Sequence, residues 1–135
     1  MVVGIDLIGC RSPARNVVTI AGDIRDPAIA AAAIDKLGGP ADLVTSDLAP
    51  KLSGIPERDD ARSRELIETA LGVAERALKP GGAMVAKLFM GADFEGCVTL
   101  FERSFRNVQV ARTKATRPGS SELYIVAREF RPGRD

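Results

Sequence analysis

Three charged residues border or enter apolar stretches that have the composition of buried strands. Asp47 follows the stretch 43–45, Lys87 lies inside 83–89, and Glu122 precedes 123–127. A charged group that loses water is costly unless it meets an opposite charge or hydrogen-bond partners. Taken singly, Lys87 could be a strand-end lysine that reaches water, and Glu122 could lie on an edge strand. Together, an acid, a lysine and a second acid on three different strands favour a catalytic site.

Two further acids follow apolar runs nearer the start of the chain. Asp6 ends the run 2–5, and Asp23 follows the run 17–20. In an open parallel sheet, ligands bind outside the carboxyl ends of the strands. A carboxylate there commonly accepts hydrogen bonds from ribose hydroxyls, which suits Asp6, whereas Asp23 could meet an adenine amino group. For one acid in isolation, capping of a turn or helix is the ordinary explanation.

Several classes of chemistry are excluded or disfavoured by composition. The 135 residues contain no histidine, which removes Ser/His/Asp and Cys/His catalysis. Cys10 and Cys97 belong to no close Cys/His grouping, so neither a disulfide framework nor a metal site is predicted. No run approaches the ~18 apolar residues of a membrane span, so a cytoplasmic protein without a membrane partner is expected. Length and composition indicate one domain, 1–135.

Apolar periodicity predicts strands that alternate with helices. Asp26-Pro27 begins a helix that Gly38-Gly39 ends, a second helix runs from 59 to 79 and ends in Pro80-Gly81-Gly82, and Asp93 caps a third that includes Phe105. The predicted strands are 2–5, 17–20, 43–45, 83–89, one beginning at 108–110, and 123–127. This order favours an α/β fold with a mostly parallel sheet, whose two final strands are antiparallel because no helix joins them.

Basic residues concentrate near the end of the chain. Residues 106–135 carry seven Arg or Lys against three Asp or Glu, although the whole chain has a net charge of only +1. A cluster such as Arg112, Lys114, Arg117 and Arg128 could face phosphates. Charged runs are more often simply solvated, so this pattern favours nucleic acid only weakly.

Six segments, in order, resemble the FtsJ/RrmJ family of ribosomal RNA large-subunit methyltransferases, and the resemblance covers nearly the whole chain. The Leu-Ala-Pro loop, the lysine strand and the Glu-x-Tyr strand are together specific, whereas Pro-Gly-Gly alone is weak. The segments are Val3-Gly4-Ile5-Asp6-Leu7; Gly22-Asp23-Ile24-Arg25-Asp26; Ser46-Asp47-Leu48-Ala49-Pro50 with Ser53-Gly54; Leu78-Lys79-Pro80-Gly81-Gly82; Lys87-Leu88-Phe89; and Ser121-Glu122-Leu123-Tyr124-Ile125-Val126-Ala127.

The resemblance implies a Rossmann-like fold, S-adenosylmethionine as methyl donor, and a ribose 2′-hydroxyl of RNA as acceptor, usually a uridine of 23S rRNA. The family's catalytic tetrad is Lys-Asp-Lys-Glu, and its last three members match Asp47, Lys87 and Glu122. Its cofactor-contacting acids match Asp6, Asp23 and again Asp47. Lys87 is the expected general base, with Asp47 and Glu122 as orienting groups, and no metal is needed.

The family's first lysine, first strand, first helix and glycine-rich cofactor loop have no counterpart here. The domain 1–135 is therefore expected to be N-terminally incomplete and, by itself, to bind the cofactor poorly. A misplaced start or shortened chain, a second polypeptide that supplies the missing part, and an inactive remnant all stay open. The alternative function is a non-catalytic RNA-binding or assembly domain. A small-molecule methyltransferase is disfavoured, because that function would not explain Lys87 or the basic C-terminal segment.

Overall fold

The computed structural model describes residues 1–12, 14–49, 53–89, 93–112 and 122–133, with only the backbone described at residues 89 and 122. These ranges contain six strands and three helices, in the alternating order that the sequence predicts. The chain divides into two compact units, Met1–Ala41 and Asp42–Asp135. The elements are β1 (Val2–Asp6), β2 (Val17–Ala21), α1 (Pro27–Leu37), β3 (Ala41–Ser46), α2 (Pro56–Ala77), β4 (Leu78–Phe89), α3 (Phe94–Ser104), β5 (Phe105–Ala111) and β6 (Glu122–Phe130).

The first unit consists of two parallel strands and a helix. β1 and β2 pair in register from Val2 opposite Val17 to Asp6 opposite Ala21. A carboxylate oxygen of Asp26 accepts from the N–H of Ala28 at 2.9 Å and caps α1. Gly38, at φ 79°, ends the helix in the left-handed conformation that glycine adopts without strain. Both predicted ends of α1 are therefore confirmed.

The second unit contains a four-stranded sheet with the order β3-β4-β6-β5. β6 runs antiparallel to both of its neighbours, β4 and β5, which confirms the predicted antiparallel final pair. One face of the sheet forms the core, where α2 contacts β4 and α3 contacts β5 and β6. Buried side chains alternate along the two central strands: Met84, Ala86 and Leu88 on β4, and Leu123, Ile125 and Ala127 on β6.

This alternation explains how β4 accommodates a lysine in an apolar sequence. Successive side chains of a strand point to opposite faces. Ala86 and Leu88 lie on the core face, so Lys87 lies on the other face, with Tyr124 directly opposite it on β6. The charged group is thus kept out of the helix-covered core.

The predicted boundary between the second helix and the following strand was wrong. α2 begins at Pro56 and ends at Ala77, and Pro80-Gly81-Gly82 lies within β4 and not at a helix end. Leu78 already has extended dihedrals, φ −71° and ψ 141°. A residue before proline is pushed away from helical dihedrals, so the chain leaves the helix ahead of Pro80.

Phe105 lies at the start of β5, not on the third helix as predicted. Its dihedrals, φ −127° and ψ 141°, are those of a strand. The ring packs 6.3 Å from Phe101 of α3 and 5.5 Å from Phe130 of β6, measured between centroids. Phe105 still belongs to the core. It was predicted to lie on the helix because it is four residues from Phe101, a spacing typical of one helix face.

Asp93 occupies the N-cap position of α3, but its side chain does not cap the helix. Its carboxylate instead pairs with the guanidinium of Arg64 on α2, which also binds Glu68 at 2.7 Å. The pairing links α2 to the start of α3. The hydrogen bonds and charges of Glu68 and Asp93 raise the pKa of Arg64, which stays charged.

Candidate active site

Asp47 and Lys87 form an ion pair at one edge of the four-stranded sheet. Asp47 directly follows β3, Lys87 lies near the carboxyl end of β4, and these two strands are neighbours. The ammonium nitrogen is 2.6 Å from Oδ1 of Asp47. The Lys87 side chain is only 15% exposed, whereas that of Asp47 is 74% exposed. The pair therefore presents a carboxylate to solvent and holds its ammonium group against the protein.

The third residue of the predicted set lies on the adjacent strand at the same edge. Backbone register places Tyr124 opposite Lys87 and Glu122 opposite Phe89. Cross-strand partners share a face of the sheet, so Tyr124 is a direct neighbour of Lys87. The side chain of Glu122 lies outside the described part of the structure. Asp47 and Lys87 are thus in contact, and the backbone of Glu122 lies at the edge where they meet.

Tyr124 was not singled out as a site residue from the sequence. It lies within an apolar strand, and only its place in the Glu-x-Tyr segment sets it apart. The register puts it half-buried beside the Asp47–Lys87 pair. A phenol there adds one hydrogen-bond donor and acceptor to the site.

Asp6 ends β1 and Asp23 follows the end of β2, its parallel neighbour in the first unit. Asp6 is exposed, and its Oδ1 accepts from the N–H of Ile8 at 3.2 Å. Leu7 and Ile8, directly after it, are 71% and 79% exposed. The edge thus combines acceptor oxygens with apolar side chains that are accessible to a ligand.

Asp23 is held by a bidentate ion pair with a neighbour in sequence. Arg25 Nη2 lies 2.8 Å from Oδ2 and Nε lies 3.1 Å from Oδ1 of Asp23. Oδ1 also accepts from the N–H of Arg25 at 2.9 Å. The hydrogen bonds from the Arg25 side chain and backbone lower the pKa of Asp23 below its ordinary value. Asp23 is therefore a fixed anion, and a ligand donor that approaches it shares the carboxylate with Arg25.

The glycine before Asp23 permits a close approach between the strand end and α1. A Cβ added at Gly22 would lie 2.5 Å from Cδ1 and 2.9 Å from Cγ1 of Ile29. Gly22 also donates its N–H to the carbonyl of Asp6 at 2.9 Å. A side chain at this position would therefore disturb the turn that carries Asp23 and its link to Asp6.

Asp59, at the start of α2, was missed by the sequence analysis. Its Oδ1 accepts from the N–H of Ser53 at 2.8 Å and from its hydroxyl at 2.7 Å, and its Oδ2 accepts from the N–H of Gly54 at 3.1 Å. The hydrogen bonds from the Ser53 backbone and hydroxyl lower the pKa of Asp59. These contacts fix Ser53-Gly54, which lie directly before α2. The sequence feature that could have identified Asp59 is an acid in the first turn of a helix, five residues after a glycine.

In the part of the chain that the structure describes, the thiols and acids show no arrangement typical of a metal centre. Among the described residues, no group of three or more Cys, Asp and Glu side chains converges around one point. Cys97 is buried, and burial raises the pKa of its thiol, whereas Cys10 is exposed. None of the helices in the described ranges is long and apolar enough to cross a bilayer.

The sequence profile of the family described as FtsJ-like methyltransferase matches residues 1–130. The chain belongs to this family. It is 43% identical over 132 residues to ribosomal RNA large subunit methyltransferase E of Polaromonas naphthalenivorans, with 94% of this chain and 54% of the relative covered. It is 44% identical over 133 residues to the Syntrophobacter fumaroxidans protein of the same name, with 97% of this chain and 66% of the relative covered. The chain therefore spans roughly half to two thirds of the length of these relatives.

Solved structures show the same fold. A Plasmodium falciparum protein described as a ribosomal RNA methyltransferase superposes with a TM-score of 0.79 at 24% identity, covering 96% of this chain and 71% of its own. A Streptococcus mutans methyltransferase, solved in complex with SAH, superposes with a TM-score of 0.53 at 10% identity. The superposition covers 95% of this chain and 70% of that protein. The predicted Rossmann-like methyltransferase fold is confirmed, and S-adenosylmethionine is the cofactor of the family.

Proposed function

We propose that the protein transfers a methyl group from S-adenosylmethionine to a ribose 2′-hydroxyl in RNA, with a uridine of 23S rRNA as the acceptor. The observation that carries the proposal is the Asp47–Lys87 pair at a sheet edge in a chain of the FtsJ-like family. Two relatives are ribosomal RNA large subunit methyltransferases E by name. The reaction forms an oxygen–carbon bond, breaks the carbon–sulfur bond, and releases the hydroxyl proton.

Lys87 is the proposed acceptor of that proton. A ribose hydroxyl is a weak nucleophile, so removal of its proton by a positioned base assists the attack. Asp47 lies 2.6 Å from the ammonium nitrogen and fixes its position. Glu122, whose backbone lies at the same edge, is the proposed second orienting acid. Alignment of the hydroxyl supplies much of the remaining acceleration.

The ion pair itself sets a condition on this role. A carboxylate at 2.6 Å stabilises the ammonium form of Lys87, which cannot accept a proton. Lys87 therefore acts as a base only when a second positive charge or desolvation favours its neutral form. If it stays protonated, the same geometry lets it donate a hydrogen bond that orients the ribose oxygen. Substitution by arginine separates these two roles, because guanidinium stays charged.

Asp6 and Asp23 are the proposed acids for the adenosine part of the cofactor. The exposed carboxylate of Asp6 suits ribose hydroxyls, and the apolar side chains of Leu7 and Ile8 beside it suit an adenine ring. Asp23 offers acceptor oxygens, which it shares with Arg25. The acceptor oxygens and the apolar surface of this edge fit an adenosine group. S-adenosylmethionine, when bound, supplies the activated methyl group.

The proposal is tested on the protein restored with the N-terminal cofactor-loop segment of a family member, because the domain 1–135 by itself is expected to bind the cofactor poorly. This protein is incubated with radiolabelled S-adenosylmethionine and 23S rRNA. Label should appear in RNA and survive alkaline digestion in a dinucleotide, because a methylated 2′-oxygen cannot attack the neighbouring phosphate. Lys87→Ala should lower the single-turnover rate at least ~100-fold, the lower range for loss of a general base. The control is Lys36→Ala, which removes an exposed lysine of α1 and should leave the rate unchanged.

Two outcomes would contradict the proposal. Label in a base and not in ribose would assign a different acceptor, and an unchanged rate in Lys87→Ala would remove Lys87 from the site. If Lys87→Arg keeps most of the rate, Lys87 orients the ribose and is not the base. Calorimetric titration with S-adenosylmethionine is run in parallel, so that a failure of cofactor binding is distinguished from a failure of catalysis.

A further inference from the structure

An arginine outside the proposed catalytic set lies at the same edge of the sheet as Lys87. β4 and β5 are both antiparallel to β6, so they run in the same direction and end at the same edge. Lys87 and Ala111 are paired with the same residue, Tyr124, from its two sides. Arg112 follows Ala111, at the point where β5 ends.

The register sets the spacing between the two cationic positions. Neighbouring strands lie ~4.8 Å apart, so the backbones at Lys87 and Ala111, separated by β6, are roughly 10 Å apart. Arg112 adds one residue, about 3.3 Å, along the strand direction. Its side chain is exposed at this edge. The guanidinium of Arg112 is therefore close enough to Lys87 for both residues to contact neighbouring nucleotides of one RNA strand.

Arg112 also differs in its contacts from two nearby arginines, Arg128 of β6 and Arg131 directly after β6. Arg128 donates to Gln109 at 3.4 Å, and Arg131 donates to the carbonyl of Glu102 at 3.1 Å. Within the described ranges, the side chain of Arg112 has no hydrogen bond or ion pair. Its five donors face water, which they exchange readily for phosphate oxygens.

We propose that Arg112 binds a backbone phosphate of the RNA, adjacent to the acceptor nucleotide held at Lys87. The proposal rests on the proposed function, because it takes RNA as the substrate. A planar guanidinium forms two parallel hydrogen bonds to a phosphate, so it fixes the strand as well as attracting it. With the acceptor ribose at β4 and a phosphate at the end of β5, the RNA backbone passes the end of β6 at this edge of the sheet.

The test measures the affinity of the protein for a single-stranded RNA oligonucleotide as a function of salt concentration. Each phosphate contact contributes about −0.7 to the slope of log K against log salt for a single strand. Arg112→Ala should make the slope shallower by about that amount and weaken binding at low salt. Arg112→Lys should keep the slope but bind more weakly, because an ammonium cannot form the bidentate contact.

The matched control is Arg106→Ala, on the same strand. Arg106 is exposed and lies at the opposite end of β5, opposite the Glu129 region of β6. Its removal makes the same change in net charge and should leave the slope unchanged. Equal slopes for Arg112→Ala and Arg106→Ala would overturn the proposal, since they would indicate nonspecific attraction only. The absence of RNA binding by the unsubstituted protein would overturn it as well.

The binding assay separates this proposal from the proposed function. It needs neither methyl transfer nor cofactor, so an Arg112-dependent slope supports the phosphate contact even if no label enters the RNA. Conversely, efficient 2′-O-methylation with a slope that does not depend on Arg112 would support the proposed function and overturn the phosphate contact. In the methylation assay, Arg112→Ala should raise KM for RNA more than it lowers kcat.

Discussion

The ammonium group of Lys87 is 2.6 Å from a carboxylate oxygen of Asp47, yet the two side chains are 15% and 74% exposed. The costs of removing each partner therefore differ. Asp47 remains hydrated without Lys87, whereas Lys87 without Asp47 loses a counter-charge in a place with little access to water. Removal of Asp47 should therefore cost more stability than removal of Lys87, whereas in the proposed reaction Lys87 acts on the substrate.

Stability measurements should show this asymmetry. Lys87→Met keeps an unbranched side chain of similar length and leaves Asp47 hydrated, so it should change the free energy of unfolding by less than about 0.5 kcal/mol, within the range for an ion pair with an exposed partner. Asp47→Ala should destabilise the protein by about 1 kcal/mol, because the ammonium loses a charged hydrogen-bond partner. Urea denaturation at neutral pH measures both. A larger loss in Lys87→Met than in Asp47→Ala would show that the pair is not asymmetric in this way.

Gly22 should tolerate no side chain without a shift of α1. The Cβ of an alanine would lie 2.5 Å from Cδ1 of Ile29, so Gly22→Ala should destabilise the protein by about 1–3 kcal/mol, the range for overpacking. Thermal denaturation measures the change. Gly39→Ala is the control, since nothing lies within 4 Å of its added Cβ, and it should not lower the melting temperature.

The double variant Gly22→Ala, Ile29→Ala separates a steric effect from a backbone effect. If the clash with Ile29 causes the loss, the double variant should be more stable than the sum of the two single losses predicts. If the two losses of stability simply add, the destabilisation by Gly22→Ala comes from the backbone at position 22 and not from the clash with Ile29. In either case, Gly22→Ala displaces the neighbouring Asp23. The affinity for the cofactor should therefore fall together with the stability of this variant.

The fold elements that the sequence predicted correctly are those with local signals. Asp26 and Gly38 mark the ends of α1 by themselves, because a cap depends on the few residues beside it. The end of α2 was misplaced since the chain enters β4 before the Pro80-Gly81-Gly82 signal. Phe105 was misassigned because its spacing from Phe101 fits a helix, whereas pairing with β6 places it in a strand. Pairing between distant segments is not visible in a local pattern.

The candidate site shows the same division. Asp47 and Lys87 were found because charged residues beside apolar strands are conspicuous, but their direct contact depends on the order of β3 and β4. Asp59 was missed, since its three hydrogen bonds require the turn at Gly54, where φ is 84°. Lys114 and Arg117, proposed from the basic pattern, lie outside the described residues, and only Arg112 and Arg128 of that cluster are placed.

Glu129 should be replaceable by glycine with a gain in stability. It lies in β6 with φ 61°, a left-handed conformation that costs a side-chain-bearing residue about 1–2 kcal/mol. After the greater conformational entropy that glycine loses on folding, Glu129→Gly should stabilise the protein by about 0.5–1 kcal/mol. Denaturant unfolding measures it. Glu129→Ala keeps a Cβ and should show no such gain, and equal gains would assign the effect to the loss of the carboxylate.

Asp59 should make the stability of the protein depend on pH in the acid range. Hydrogen bonds from the backbone and hydroxyl of Ser53 lower the pKa of Asp59 in the folded state. A carboxyl with a lowered folded pKa contributes stability above its unfolded pKa of about 3.9, and that contribution is lost as the pH falls through the folded value. Asp59→Asn should therefore lower the melting temperature at pH 7, and the difference from the unsubstituted protein should shrink to nothing in strong acid.

Glu57→Gln is the control that gives this comparison its meaning. Glu57 and Asp59 both lie in the first turn of α2, where any carboxylate is favoured by the helix dipole. Both substitutions remove one negative charge from the same turn. Only Asp59 binds Ser53 and Gly54, so an acid-sensitive loss in Asp59→Asn that exceeds the loss in Glu57→Gln measures those hydrogen bonds. Equal losses would assign the effect to the dipole, and Asp59 would then have no special role in fixing Ser53 and Gly54.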